Sequence, residues 1–100
     1  MVKISHYNPA LGGVNCANFV NGTCISKMSN GERWQNFLDY AIACPVELPF
    51  GTRIKIGDEV WECKDRGGAI VKSGDVYWVD QLTEHARYPF GTVMEAEILP

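Results

Sequence analysis

The stretch Lys64–Asp80, KDRGGAIVKSGDVYWVD, decides how the rest of the chain is read. Asp65-Arg66 is followed at once by Gly67-Gly68, and paired glycines allow positive φ or close backbone approach to a ligand. Val76-Tyr77-Trp78-Val79 is dense in β-branched and aromatic residues and predicts a strand. Asp65 is then expected at the mouth of a glycine turn and Asp80 at the end of a strand. Two carboxylates so placed on an aromatic scaffold point to a site. The plainer alternative is that Asp65 pairs with Arg66 or caps the turn, and that Asp80 caps a following helix.

Working outward, the chain alternates with period two on both sides. Val2–Tyr7 predicts a half-buried strand that stops at Asn8-Pro9. Thr52–Ile56 and Glu59–Lys64 flank Gly57-Asp58, a two-residue hairpin signal. Tyr40–Ala43 reads as a strand ending before Pro45, and Thr92–Leu99 as a last alternating strand. Trp34, Phe37, Leu38 and Ala41 recur at helical spacing, which predicts a short helix over Glu32–Asp39. Thr83 is placed to cap another through Arg87, with Glu84 in its first turn. Leu11–Gly31 is rich in Gly, Asn and Ser and is expected to be irregular. Asn21-Gly22-Thr23 fits a glycosylation sequon and equally a turn. Leu48-Pro49-Phe50-Gly51-Thr52 and Tyr88-Pro89-Phe90-Gly91-Thr92 each introduce an alternating strand, so two halves with a shared turn are expected. Short strands with one or two short helices imply a mainly β, six-stranded small barrel, in which closure removes exposed edges.

The 100 residues make one domain, 1–100. Apolar residues make up 46% and charged residues 21%, a globular composition. A net charge of -3 with no clustered basic face argues against nucleic-acid binding. No apolar run approaches the roughly 20 residues of a membrane span. No signal peptide is visible at Met1–His6. Cys16, Cys24, Cys44 and Cys63 lack C-x2-C spacing, so a zinc site is not expected. An even count suggests two disulfides and an oxidising compartment, against four buried thiols in a reducing one. Three pairings are possible; the preferred one joins Cys16 to Cys24 within a loop and Cys44 to Cys63 across strands.

Ala43-Cys44-Pro45-Val46-Glu47-Leu48-Pro49-Phe50-Gly51-Thr52, Lys64-Asp65-Arg66-Gly67-Gly68-Ala69-Ile70, Val79-Asp80 and Phe90-Gly91 together resemble the 3D (three-aspartate) domain. That domain is a double-psi β-barrel of membrane-bound lytic transglycosylase A and of stationary-phase survival proteins. Tyr7 and Gly12-Gly13 resemble its opening. Ser29–Glu32 and Asp65–Gly67 resemble, more distantly, rare lipoprotein A and expansin-type barrels. Cys44 stands where the first aspartate belongs, and Asp80 follows Asp65 at a longer spacing than the family pattern has.

The resemblance implies a peptidoglycan-cleaving enzyme acting on the MurNAc-GlcNAc bond with Asp80 as acid/base and Asp65 as supporting acid. It implies that Gly67 and Gly68 let a glycan lie against the backbone, and that Tyr7 and Trp78 bind substrate. Trp34 and Trp61 are further candidates to stack on sugars, though aromatics in a small barrel are more often core. No cofactor or metal is implied. The expected partner is peptidoglycan or another polysaccharide, with no nucleic acid and no membrane span, for a monomer or weak dimer in an extracytoplasmic or secreted cell-wall setting. The other functional class is a non-catalytic glycan-binding or wall-loosening barrel, as in expansin-type proteins. A third is a disulfide-stapled secreted interaction domain.

Overall fold

The computed structural model describes residues 1–11, 16 and 18–100; the expectation for Gly12-Gly13 lies outside them. The chain is mainly β. Its strands are β1 (Val2–Tyr7), β2 (Phe19–Val20), β3 (Thr23–Cys24), β4 (Ala41–Ala43) and β5 (Arg53–Ile56) in the first half. Next come β6 (Glu59–Asp65), β7 (Lys72–Ser73), β8 (Val76–Leu82), β9 (Thr92–Met94) and β10 (Glu97–Ile98). One mixed sheet runs in the order β10-β5-β6-β4-β8-β1-β9, with β7 against β8, and β2-β3 form a separate hairpin. The path is open: among the described residues its end strands β10 and β9 are not paired with each other. No helix among the described residues is long and apolar enough to cross a membrane.

The order is symmetric about one antiparallel pair, β4 with β8. Each of these has a parallel neighbour, β6 on one side and β1 on the other. Each neighbour has an antiparallel one beyond it, β5 and β9. The repeated tetrapeptide supplies equivalent turns to both halves. Thr52 N–H donates to Pro49 O, and Thr92 N–H to Pro89 O, both at 3.1 Å. Gly51 and Gly91 take φ of 92° and 83°, a region that only glycine enters without strain. Their amides then bond the sheet at Cys63 O (2.9 Å) and Ile4 O (2.8 Å).

Strand alternation sorts side chains onto two faces. Ile4, Ile42, Ile54, Ile56, Trp61 and Val79 form the main core with the disulfide pair Cys44–Cys63. Deleting one such aliphatic side chain costs about 2–5 kcal/mol through lost transfer energy and the cavity left behind. On the opposite face, Ala41 and Leu82 pack with Cys24, Met28 and Trp34 in a second cluster, flanked by Tyr7, Phe37 and Leu38. The irregular 25–40 segment therefore lies over the sheet, held at its root by the Cys16–Cys24 bond.

Several expectations need correcting. Glu32–Asp39 is not a helix; a single 3-10 turn, Trp34–Asn36, closes through Phe37 N–H to Trp34 O. The helical spacing of Trp34, Phe37, Leu38 and Ala41 comes from a folded-back turn, with Asp39 at φ 63°, that drops all four toward one cluster. Thr83–Arg87 is an irregular bend. Arg87 is drawn to Asp39 and Glu59, and Tyr88 precedes a proline, which disfavours helical φ/ψ. Thr92–Leu99 is two strands with different partners, β9 on β1 and β10 on β5. Asp80 is not at a strand end, since β8 continues to Leu82.

Candidate functional site

A cleft of about 290 Å³ opens between the sheet and the stapled segment, lined by Tyr7, Met28, Asp65, Arg66, Gly67 and Asp80, among others. Topology brings these residues together. β1 lies parallel to β8 with Ser5 opposite Asp80 and Tyr7 opposite Leu82. β4 joins β8 to β6, with Ala43 opposite both Asp80 and Asp65. The small side chain of Ala43 sits in the cleft lining between the two carboxylates' strands.

Asp65 is saturated by its own chain. Its Oδ1 accepts from Ser29 N–H (2.8 Å), Ser29 Oγ (2.7 Å) and Arg66 N–H (2.8 Å), and its Oδ2 accepts from Tyr7 OH (2.9 Å). The Arg66 guanidinium turns away from this carboxylate. It donates to the carbonyls of Leu48 (2.9 Å) and Cys44 (3.4 Å) and lies over the Phe50 ring at 4.2 Å. The Asp65–Arg66 contact is thus a backbone one. Asp65 anchors the Ser29 turn and Tyr7 to the end of β6, and so shapes the cleft wall.

Asp80 is treated differently. Burial pushes its carboxyl above the usual carboxylate range; the Ser5 hydrogen bond and the His6 charge act downward, and the Asp65 charge adds to the rise. Ser5 Oγ donates to Asp80 Oδ1 at 2.8 Å, and Trp78 Nε1–H donates to Ser5 Oγ at 2.9 Å. Asp80 Oδ2 has no hydrogen-bond partner among the described residues and is not a buried orphan, and Asp80 lines the cleft. Burial, then the adjacent Asp65 charge and hydrogen bond, push the Tyr7 hydroxyl far above its ordinary range, so it stays protonated. An acid held up in pKa, half withdrawn from water, with one oxygen fixed and one open, is equipped to give and take a proton.

The expected residues divide accordingly. Tyr7, Asp65, Gly67 and Asp80 line one cleft; Trp78 is not in its lining and connects to Asp80 only through Ser5. Trp34 lines it from the second cluster, while Trp61 is wholly enclosed in the main core and offers no surface to a sugar. Gly67 and Gly68 are not among the left-handed glycines. A Cβ on Gly67 would lie 2.8 Å from Ile70 Cγ1, so the missing side chain makes room for the chain itself. Gly68 has open space around it and does not line the cleft.

Both disulfides follow the preferred pairing, Cys16–Cys24 and Cys44–Cys63. Cys44 is buried in the main core and does not line the cleft, so the position where the resemblance expects the first aspartate lies away from it. Sequence reading missed Ser5 and Ser29. Ser5 carried a signal, since it shares strand parity with Lys3 and Tyr7; Ser29 carried only the distant resemblance of Ser29–Glu32, which assigned it no role. Among the described residues no group of three or more His, Cys, Asp or Glu side chains is arranged to hold a metal ion. Comparison with protein-family models, curated proteins and solved structures finds no match to this chain.

Proposed function

We propose that this domain is a lytic-transglycosylase-type enzyme that cleaves the MurNAc-GlcNAc bond of peptidoglycan, with Asp80 as its acid/base. The observation that carries the reading is Asp80 itself: a carboxyl raised by burial, fixed through Oδ1 and open to a cleft through Oδ2. Its neutral form protonates the glycosidic oxygen as an oxocarbenium-like centre develops at C1. The resulting carboxylate takes the proton of the sugar's own O6 hydroxyl, which attacks C1 and closes an anhydro ring. One acid serves both steps and no water has to be positioned, unlike the two-carboxylate glycosidase scheme. Asp65, with all its donors internal, serves by holding Tyr7 and Ser29 in place.

For the fold we propose a double-psi type barrel with its seam between β9 and β10. What supports this is the symmetric strand order with two parallel pairs and the duplicated proline–glycine turn. The two disulfides favour an oxidising, extracytoplasmic setting, as a cell-wall enzyme requires.

A second reading is a glycan-binding barrel without cleavage. It is favoured by the consumption of Asp65 in internal hydrogen bonds and of Cys44 in a disulfide, which leaves one open acid. The test is mass spectrometry of soluble products after incubating the protein and its Asp80→Asn variant with purified peptidoglycan. Anhydro-muropeptides from the parent and none from the variant are expected. Reducing-end products mean hydrolysis and overturn the single-acid scheme; co-sedimentation with the wall and no products selects the binding class.

A further inference from the structure

The Trp78–Ser5–Asp80 chain strongly favours one hydrogen order. The indole N–H has a hydrogen and no lone pair to offer, so it must donate and Ser5 Oγ must accept at 2.9 Å. Ser5 retains one hydrogen, and Asp80 Oδ1 at 2.8 Å is its acceptor. Ser5 is 4% exposed and has no third hydrogen-bond partner among the described residues. A proton on Asp80 Oδ1 would set two hydrogens between oxygens 2.8 Å apart, or turn the Ser5 hydrogen to where no acceptor lies among the described residues.

We infer that Ser5, oriented by the Trp78 indole, is a positioning residue that keeps Asp80 Oδ1 a permanent acceptor and places the carboxylic proton on Oδ2, the oxygen open to the cleft. This rests on the proposed role of Asp80 as the acid, and it names the atom that delivers the proton.

The neighbours leave that assignment alone. Tyr7 has one hydrogen and commits it to Asp65 Oδ2. Arg66 spends its guanidinium on backbone carbonyls. From β1, His6 contributes charge only, and Lys3 sits over the Trp78 ring at 4.2 Å. β4 offers only Ala41–Ala43. From β7, Lys72 sits over Tyr77 at 5.2 Å. Trp78 itself is braced by Phe90, edge-on with centroids 6.2 Å apart, so the start of the relay is fixed by packing as well as by its bond.

The test is a carboxyl-carbon NMR titration of Asp80 in the full chain, for the parent, Ser5→Ala, Ser5→Thr, Trp78→Phe and Ser5→Ala/Trp78→Phe. Loss of the Ser5 donor is expected to raise the Asp80 midpoint, and Ser5→Thr to restore it. Trp78→Phe is expected to raise it too, because the Ser5 hydroxyl, no longer oriented by the indole, donates less fully to the carboxylate. The double variant is expected to match Ser5→Ala, since Trp78 acts through Ser5. An unmoved midpoint in Ser5→Ala or Trp78→Phe, or effects that add in the double variant, overturns the inference. The same proteins are assayed on peptidoglycan across pH. Midpoints that move as expected in a parent that releases no products reject the lytic reading and keep the role of Ser5. Products with unmoved midpoints do the reverse.

Discussion

Tyr7 and Asp65, 58 positions apart, are joined by a 2.9 Å hydrogen bond that ties the end of β1 to the end of β6. Removing it with Tyr7→Phe leaves Asp65 short of one donor. A hydrogen bond to a charged group contributes about 1.5–3 kcal/mol, and urea denaturation is expected to register a loss of that order. Burial of Tyr7 first, then the Asp65 charge and this bond, make stability depend on alkaline pH. A tyrosine whose folded pKa is raised contributes stability that is complete below its unfolded value near 10.0 and declines as pH rises above it. The Phe variant is expected to lose that part of the alkaline decline.

Asp80 carries the opposite trade. Its folded pKa is raised, so its stabilising contribution is present below the unfolded value of 3.8 and is lost as pH rises through the folded one. Above that window the raised carboxyl is a net cost to folding, chiefly because burial disfavours its charged form. Asp80→Asn is expected to raise the thermal midpoint at pH 7 and, under the proposed function, to lower glycan cleavage by roughly 10²–10⁴-fold, the usual worth of a general acid. Calorimetry on the two proteins checks the sign; a lower midpoint in the variant contradicts it.

The two glycines after Arg66 are expected to behave differently. Gly67→Ala brings a methyl to 2.8 Å from Ile70 Cγ1, and Ile70 is itself buried, so crowding of this kind costs typically 1–3 kcal/mol. Gly68→Ala meets nothing within 4 Å and is expected within about 0.5 kcal/mol of the parent. Paired denaturation curves decide it.

The disulfides are expected to separate under reduction. Cys44 and Cys63 are both enclosed in the main core, whereas Cys16 is only half-buried and lines the cleft with Cys24. Mild reductant followed by alkylation is expected to label Cys16 first, with the proposed cleft activity lost while the sheet remains folded. Removing Cys44–Cys63, which closes 19 positions rather than 8, is expected to cost more, about 2–5 kcal/mol by chain-entropy arguments. Labelling that begins at Cys63 is the contrary result.

What the sequence made legible was local. The β5–β6 hairpin followed from alternation on either side of Gly57-Asp58, because both partners lie within a dozen residues. The core of β8 followed from Val76–Val79, and the duplicated turns from their shared Pro-Phe-Gly-Thr. Asp65 and Asp80 stood out as acids beside glycines and aromatics, and they do share a cleft. The remainder depended on contacts between distant positions. Nothing in VKISHY announces that β1 lies parallel to β8, so Ser5 could not be matched to Asp80. Trp34, Phe37 and Leu38 satisfied a helical template because a tight turn and a helix both bring neighbours three apart to one face. Tryptophan alone does not distinguish a sugar platform from a core plug, and Trp61 is the latter.

The position of β1 also dictates the order in which the domain is assembled. Its two neighbours, β8 and β9, span Val76–Met94, so the earliest strand has no partner in the sheet until most of the chain exists. The β5–β6 hairpin can pair as soon as it emerges, and β4 can join it soon after. β1 must wait in an unpaired, half-apolar state and then close a long loop, the slow and aggregation-exposed step in chains of high contact order. Because Ser5 and Tyr7 arrive on that strand, the acid site is completed last, so no partly made chain holds a finished Asp80 environment.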